Sequence, residues 1–568
     1  MNVAQQIADI CHIEGVRLIA GVMGGSATHI VRALDGIPGR AALYCRQERV
    51  AADACDGYAR VTGDPGVVFT DAGPGAANAM AGILNSWGDS VPVLFFAPIQ
   101  DRFEIFSQRF TKELPVVDVY GPVSKWTTKL VDPSQVDMVM RNAFVHLRAA
   151  RSGPVVIGLP RDLTKLEGRR TDHVPVTRHR TAADAADVER AVRLLAEAER
   201  PYLYVGAGAR TSGATPELIE LAELLSLPVA TTLNAKGVFP ETHPLALGIG
   251  GFARATYSTL QAERFAEEAD VAVTVGCGFK RDATKAAMPA DTKIVQIDVD
   301  PGALDHKYRV DVGVLGDAKT VLRQMIECAR GALPASRLAP RPAVAERVRA
   351  LKKEWWDLTR PLLVSDSRPI EPFRVTWELA QLVDHDRTIV LHDAGGTRGY
   401  VCQHWETTTP TGFIGYGVQS AMGWSLGAAM GAKAAAPDKL VVAFIGDEAF
   451  CEVAMDIETS VVSKAPVLVV LLNNREDSLA QLAHMSGGRG FNPTLGAIRW
   501  GGRGNLSDVA RALGADTQRV EDPQRIKPAL EHAIRAVGEG TTAVVEVITA
   551  RTPHMLGHLL GRKDSGGE

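Results

Sequence analysis

One stretch, residues 441–474, constrains the fold of this chain more than any other: VVAFIGDEAFCEVAMDIETSVVSKAPVLVVLLNN. Residues 441–445 form a short apolar run closed by Gly446 and Asp447, which predicts a buried strand. From 449 to 463 the apolar residues Val453, Ile457 and Val461 recur at helical spacing, and Pro466 ends that helix. Residues 467–472 are again continuously apolar and rich in β-branched residues, as in a strand buried in a parallel sheet. The unit is β-α-β, and a right-handed crossover makes its strands parallel neighbours. Asp447 and Asn474 then meet at the C-terminal edge of one sheet, where open α/β sheets bind ligands. A carboxylate and an amide oxygen suit a hard cation such as Mg²⁺, and a helix starting near Ala449 aims backbone N–H groups at the same place, as a phosphate site requires. Each feature alone also fits a helix cap and a turn.

Two more segments repeat the α/β pattern. The chain has 568 residues, is 46% hydrophobic and 23% charged, and carries a formal charge of −4, so nothing marks a nucleic-acid surface. Strand-like runs such as VRLIAGV, GVVFTDAGPG and VPVLFFAP lie in 1–175; YLYVGAGA, VAVTVGCG and KIVQIDVDP lie in 185–330; TIVLHDAGG, LVVAFIGD, VLVVLLNN and AVVEVIT lie in 368–550. RRTDHVPVTRHRT and LPASRLAPRPA read as the linkers, and 551–568 as a tail. The expected fold class is α/β, with three consecutive doubly wound parallel-sheet domains. Seven cysteines without close pairs argue against a disulfide framework. The N-terminus reads as an amphipathic helix and not a signal peptide, and no apolar run approaches the roughly 18 residues of a membrane span, so a cytoplasmic protein is expected.

The spacing of Asp447 and Asn474, 27 positions apart, resembles the GDG…NN signature of thiamine diphosphate (ThDP) enzymes. The resemblance implies that Asp447, Asn474 and the main-chain carbonyl of Glu476 hold Mg²⁺, with Gly446, Glu448 and Ala449 beside the diphosphate. Glu448 departs from the usual Gly and places a second acid there. A second stretch, RQERVAADACDGYARVTGDPGVVFTDAGPGAAN, resembles the pyrimidine-binding domain of the same enzymes, and its glutamate is Glu48. A lone glutamate at this place would serve a helix N-terminus. The resemblance instead implies that Glu48 hydrogen-bonds the pyrimidine N1′, which promotes the 4′-imino form and hence the ylide that attacks a substrate carbonyl. Gln47 stands where a His is common. In GYGVQSAMGWSLGAAMGAK, Met422 is implied to force the cofactor into its bent shape, and the Ser420 carbonyl to accept from the 4′-amino group; Gly396 and Thr397 in HDAGGTRG would cradle the diphosphate.

The resemblance covers nearly the whole chain, in the order of the pyruvate oxidase and acetohydroxyacid synthase branch, and is also similar to oxalyl-CoA decarboxylases and 2-hydroxyacyl-CoA lyases. It implies a homodimer or homotetramer, because the cofactor lies between subunits. In relatives the central domain holds FAD, an ADP or CoA moiety, or nothing; here a Gly-rich turn in VGAGARTSG, with Asp298 and Asp300 at a strand end, suits a nucleotide ribose. No His occurs from 101 to 120 and position 480 is Ala, unlike simple decarboxylases; Thr111-Lys112-Glu113 replaces the Phe-Gln-Glu of acetohydroxyacid synthases. Gly25, Gln47, Lys112 and Leu479 are the candidate substrate residues, Lys112 as a grip on a carboxylate or phosphate. The expected function is a ThDP- and Mg²⁺-dependent carboligase or lyase that acts on 2-keto acids through a decarboxylated enamine, as acetolactate synthase does. A 2-hydroxyacyl- or oxalyl-CoA enzyme, with the basic tail HLLGRKD closing over the CoA, is the alternative, and a non-catalytic protein of the same fold the third.

Overall fold

The computed structural model describes residues 1–104, 112–251, 257–279, 288–475, 504–550 and 552. The apolar runs become strands of three all-parallel sheets, six strands in each among the described residues. In the first, β1 (Leu18–Gly21), β2 (Ala41–Tyr44), β3 (Gly66–Phe69), β4 (Val93–Ile99), β5 (Trp126–Lys129) and β6 (Val155–Pro160) stand in the order 2-1-3-4-6-5. In the second, β7 (Pro201–Val205), β8 (Val229–Thr231), β9 (Ala246–Ile249), β10 (Val271–Val275), β11 (Lys293–Asp298) and β12 (Val312–Leu315) stand in the order 12-11-10-7-8-9. In the third, β13 (Thr388–His392), β14 (Phe413–Ile414), β15 (Leu440–Gly446), β16 (Leu468–Asn473), β17 (Asp516–Val520) and β18 (Ala543–Ile548) stand in the order 14-13-15-16-18-17.

Each order reverses inside the sheet, between β1 and β3, between β7 and β10, and between β13 and β15, and the first and third reverse again at one edge, where β5 and β17 lie outside β6 and β18. At such a reversal the loops leave a sheet in opposite directions and open a crevice at its C-terminal edge. The crevices therefore fall beside Gly24–Ser26 and Asp71, beside Gly206 and Gly276, and beside Asp393 and Asp447. As the β-α-β reading requires, β15 and β16 pair in parallel, with Gly446 opposite Leu472.

Two expectations differ in detail. The predicted helix over 449–463 is broken: an α-helix over Asp447–Val453, a 3₁₀ turn over Ala454–Asp456 and a second α-helix over Ile457–Val462. Its apolar spacing is helical throughout, so periodicity gave no sign of the tighter turn. The second linker is helical over Ala335–Leu338 and then enters a 22-residue helix, Pro342–Leu363, where proline sits in the first turn and so starts the helix rather than breaking it.

The first and third sheets share one core. Helix α1 (Glu48–Thr62) lies along helix α3 (Trp424–Ala435), and helix α2 (Met80–Asp89) packs beside α1. Val50, Ala54, Leu426, Met430, Val441 and Ile445 belong to the same buried cluster. Small residues allow the close approach: a Cβ on Gly57 would lie 2.2 Å from the Ala428 carbonyl oxygen, and one on Gly431 would lie 1.8 Å from that of Ala54. Among the described residues, no helix is long and apolar enough to cross a membrane.

Candidate active site

The sequence-predicted residues fall into two groups, one at the crevice of the first sheet and one at that of the third. Glu48 is the first residue of α1, with Gln47 extended before it as the cap residue. The half-buried Glu48 carboxylate accepts from Asn78 Nδ2 at 3.2 Å. It lies against the turn after β3, where a Cβ on Gly75 would come within 3.0 Å of Glu48 Oε1. Gln47 Oε1 is buried with no hydrogen-bond partner, a polar atom that a bound group could satisfy. Gly25 faces open space, whereas its neighbour Gly24 abuts Asp71.

Lys112 is in this group but is not an open cation. Its Nζ pairs with Asp71 Oδ2 at 2.5 Å, and its backbone is left-handed at φ 66°. Burial acts to raise the Asp71 carboxyl, but hydrogen bonds from Lys112 and the Ser26 N–H outweigh it and bring the group down to about 2.

At the third sheet, Gly446 ends β15 with nothing within 4 Å of a built Cβ, so the space above the strand end is open. Asp447 and Glu448 begin the following helix, and Ala449 is buried beneath them. Asp447 Oδ2 accepts from Arg475 N at 2.9 Å, which ties the ends of β15 and β16 together. Burial raises the Asp447 carboxyl to about 6, partly offset by that backbone N–H. The first Asn of the pair is structural: Asn473 Nδ2 donates to buried Glu546 at 2.7 Å, while Asn474 follows the strand end, half-buried. Gly396 and Thr397 open a short helix after β13, with Thr397 Oγ1 bonded back to the Ala394 carbonyl at 3.0 Å. Ser420 adopts φ 58° and its Oγ accepts from buried Arg398 at 2.7 Å; Met422 packs half-buried against the shared core. Glu476, Leu479, Thr111 and the tail HLLGRKD lie outside the described residues.

Among the described residues no three His, Cys, Asp or Glu side chains gather as a metal cluster. A cation beside Asp447 would therefore take one carboxylate, amide and carbonyl oxygens, and the anionic oxygens of its own ligand. That donor chemistry fits Mg²⁺ shared with a diphosphate.

The motifs did not single out three further carboxylates at these loops. Asp71 ends the segment after β3 and holds Ser26 N at 3.0 Å. Asp393, fully buried after β13, accepts from the N–H groups of Ala394, Gly423 and Ser425, each at 2.8 Å. Asp89 accepts from Gly417 and Val418. The available signal was an Asp at or next to a strand end, as in FTDAGPG and LHDAGG.

The third crevice, in the central sheet, is a cavity of about 200 Å³ walled by Gly206, Gly208, Gly276, Asp298 and Arg151. Asp300 is not on that wall: it caps the 3₁₀ turn Pro301–Ala303 and pairs with Arg151.

Models of the thiamine pyrophosphate enzyme family match all three segments. The N-terminal TPP binding domain covers 1–113, the central domain 188–325 and the C-terminal TPP binding domain 393–547. The chain is 30% identical over 550 residues to the probable acetolactate synthase large subunit of Methanocaldococcus jannaschii, covering 94% of this chain and 90% of that one. It is 29% identical over 559 residues to the acetolactate synthase isozyme 3 large subunit of Escherichia coli, covering 95% and 94%. The chain belongs to the thiamine pyrophosphate enzymes, in their acetohydroxyacid synthase-like branch, and is a ThDP-dependent enzyme of carbon–carbon bond formation.

Proposed function

We propose that the chain holds ThDP through Mg²⁺ at Asp447 and Asn474, and joins a 2-keto acid to a second carbonyl compound with loss of CO₂, in the manner of acetolactate synthase. The observation that carries this reading is the pairing of the Asp447 carboxylate and the Asn474 amide at the reversal point of the third sheet with a half-buried glutamate at that of the first. When bound, ThDP supplies the electron sink that a keto acid needs to lose CO₂. Asp447 and Asn474 would hold the metal, and the family resemblance adds the main-chain carbonyl of Glu476 as a third donor. Gly446, Ala449, Gly396 and Thr397 line the diphosphate. Glu48 would share a proton with the pyrimidine N1′, the Ser420 carbonyl would accept from the 4′-amino group, and Met422 would pack against the cofactor.

Gly25, Gln47 and Lys112 would form the substrate wall, with Lys112 held by Asp71 and so presented to a carboxylate from a fixed direction; Leu479, the fourth candidate, lies outside the described residues. Glu48 and the metal group serve cofactors shared between subunits, in a cytoplasmic homodimer or homotetramer that sedimentation would size. The glycine turns and Asp298 of the central cavity support a nucleotide there, FAD or an ADP or CoA moiety. Flavin absorbance of the purified protein distinguishes the first from the others. The decisive experiment is a screen of 2-keto acids, with and without acyl-CoA thioesters, that follows CO₂ and carboligation product. Turnover only of CoA thioesters overturns the acetolactate-type reading in favour of the CoA lyase branch.

Purified protein binds ThDP only with a divalent cation, and Asp447→Ala removes that dependence together with most of the affinity; titration calorimetry in EDTA that matches the Mg²⁺ value refutes the metal assignment. Glu448→Gly tightens ThDP binding or leaves it unchanged. An acid at about 4 Å from the diphosphate would cost on the order of 1 to 4 kcal/mol, depending on screening. A large loss of affinity in that variant makes Glu448 a positive part of the site.

A further inference from the structure

We propose that Asp89 is a positioning residue for the cofactor. Its carboxylate, from the first domain, fixes the main chain of the third-domain loop that carries Ser420 and Met422. The inference rests on the role given to that loop above.

Asp89 is the last residue of α2, and the left-handed Ser90 that follows ends the helix with φ 60°. Asp89 Oδ2 accepts from Gly417 N at 2.7 Å and from Arg60 Nη2 at 2.9 Å, and Oδ1 accepts from Val418 N at 3.2 Å. Arg60 grips the same loop two residues earlier, donating to the Gly415 carbonyl at 2.7 Å, and is itself held by Asp56 at 2.6 Å. Both side chains are almost fully buried, 2% and 4% exposed. In such surroundings charge-assisted bonds to main-chain groups are short and stiff.

The other end of the loop is equally fixed. Asp393 takes the N–H groups of Gly423 and Ser425, and Trp424 Nε1 donates to Asp56 at 3.0 Å. Between the clamps, Ser420 keeps a left-handed backbone that a serine adopts only when its surroundings impose it. Tight packing leaves the loop no slack. A Cβ on Gly88 would lie 3.0 Å from Gln419 Cγ, and one on Gly417 would lie 2.4 Å from Asn234 Nδ2 of the central domain. All three domains thus meet on residues 417–419, directly before the carbonyl that must face the 4′-amino group. An acceptor displaced by about 1 Å loses most of its effect on a proton transfer.

The test uses full-length protein saturated with ThDP and Mg²⁺ and reads exchange of the cofactor's C2 proton with deuterium, beside ThDP affinity and thermal unfolding. In Asp89→Asn the exchange rate falls about 10- to 100-fold while ThDP affinity, set by the metal group, falls less. Asp89→Glu keeps the charge for Arg60 but moves the carboxylate by about one C–C bond, roughly 1.5 Å, and exchange falls as well, at a temperature where thermal unfolding shows the variant folded. Wild-type exchange in cofactor-saturated Asp89→Glu overturns the proposal and leaves Asp89 a purely structural partner of Arg60. Failure of the wild-type protein itself to accelerate exchange over free ThDP overturns the reading of the loop, and the proposal with it.

Discussion

Glu48→Gln slows exchange of the bound cofactor's C2 proton by about 10²- to 10⁴-fold while ThDP still binds. The amide matches the carboxylate in size, and its carbonyl oxygen can still accept from Asn78, which now bonds Glu48 Oε2 at 3.2 Å. The packing against Gly75 is also kept, since the amide fills the space of the carboxylate, whose Oε1 lies 3.0 Å from where a Cβ on Gly75 would be. What is lost is the proton that a carboxyl group can share with the pyrimidine nitrogen and an amide cannot. Deuterium exchange under cofactor saturation measures the effect directly, and calorimetry shows whether binding survives. If exchange is unchanged, Glu48 serves only the N-terminus of α1, a contribution of about 0.3 to 1 kcal/mol to stability.

The second large effect is on folding. Gly431→Ala destabilises the contact between the first and third domains, because the added Cβ would sit 1.8 Å from the Ala54 carbonyl oxygen. That neighbour is helix backbone and cannot rotate away, so α1 and α3 must separate. Overpacking of this kind costs about 3 kcal/mol, and the better helix propensity of alanine returns about 1, for a net loss of about 2 kcal/mol. The shift should appear in the first transition of a urea or thermal unfolding curve. A control at Gly331 in the helix Ala318–Ala332, where nothing lies within 4 Å, leaves stability unchanged or raises it by up to about 1 kcal/mol. Equal behaviour of the two variants would mean that the helices part freely, and that the close approach is not a constraint on the fold.

The parallel pairing of β15 with β16 could be read from two apolar runs, a helical period between them and Pro466, because each is a local pattern whose physics acts within a few residues. The same holds for Glu48 at the start of α1 and Asp447 at the end of β15, since punctuation by Gly and by polar residues marks strand and helix ends in the sequence itself. The broken helix after Asp447 escaped, since a 3₁₀ turn keeps nearly the same apolar spacing. Lys112 looked like a free cation because its partner Asp71 is 41 residues away.

By itself, then, the sequence determined three parallel α/β sheets and the β-α-β unit that brings Asp447 and Asn474 to one edge. The tertiary structure alone decided how the loops at those edges are held. Asp89 bonds Gly417 across 328 positions of chain, and Asp393 reaches Gly423 across 30. Strand order and the reversal between β13 and β15 likewise come from packing whole sheets. A hydrogen bond depends on the position of two atoms in space, and when distant segments supply them, no local periodicity or spacing records the encounter.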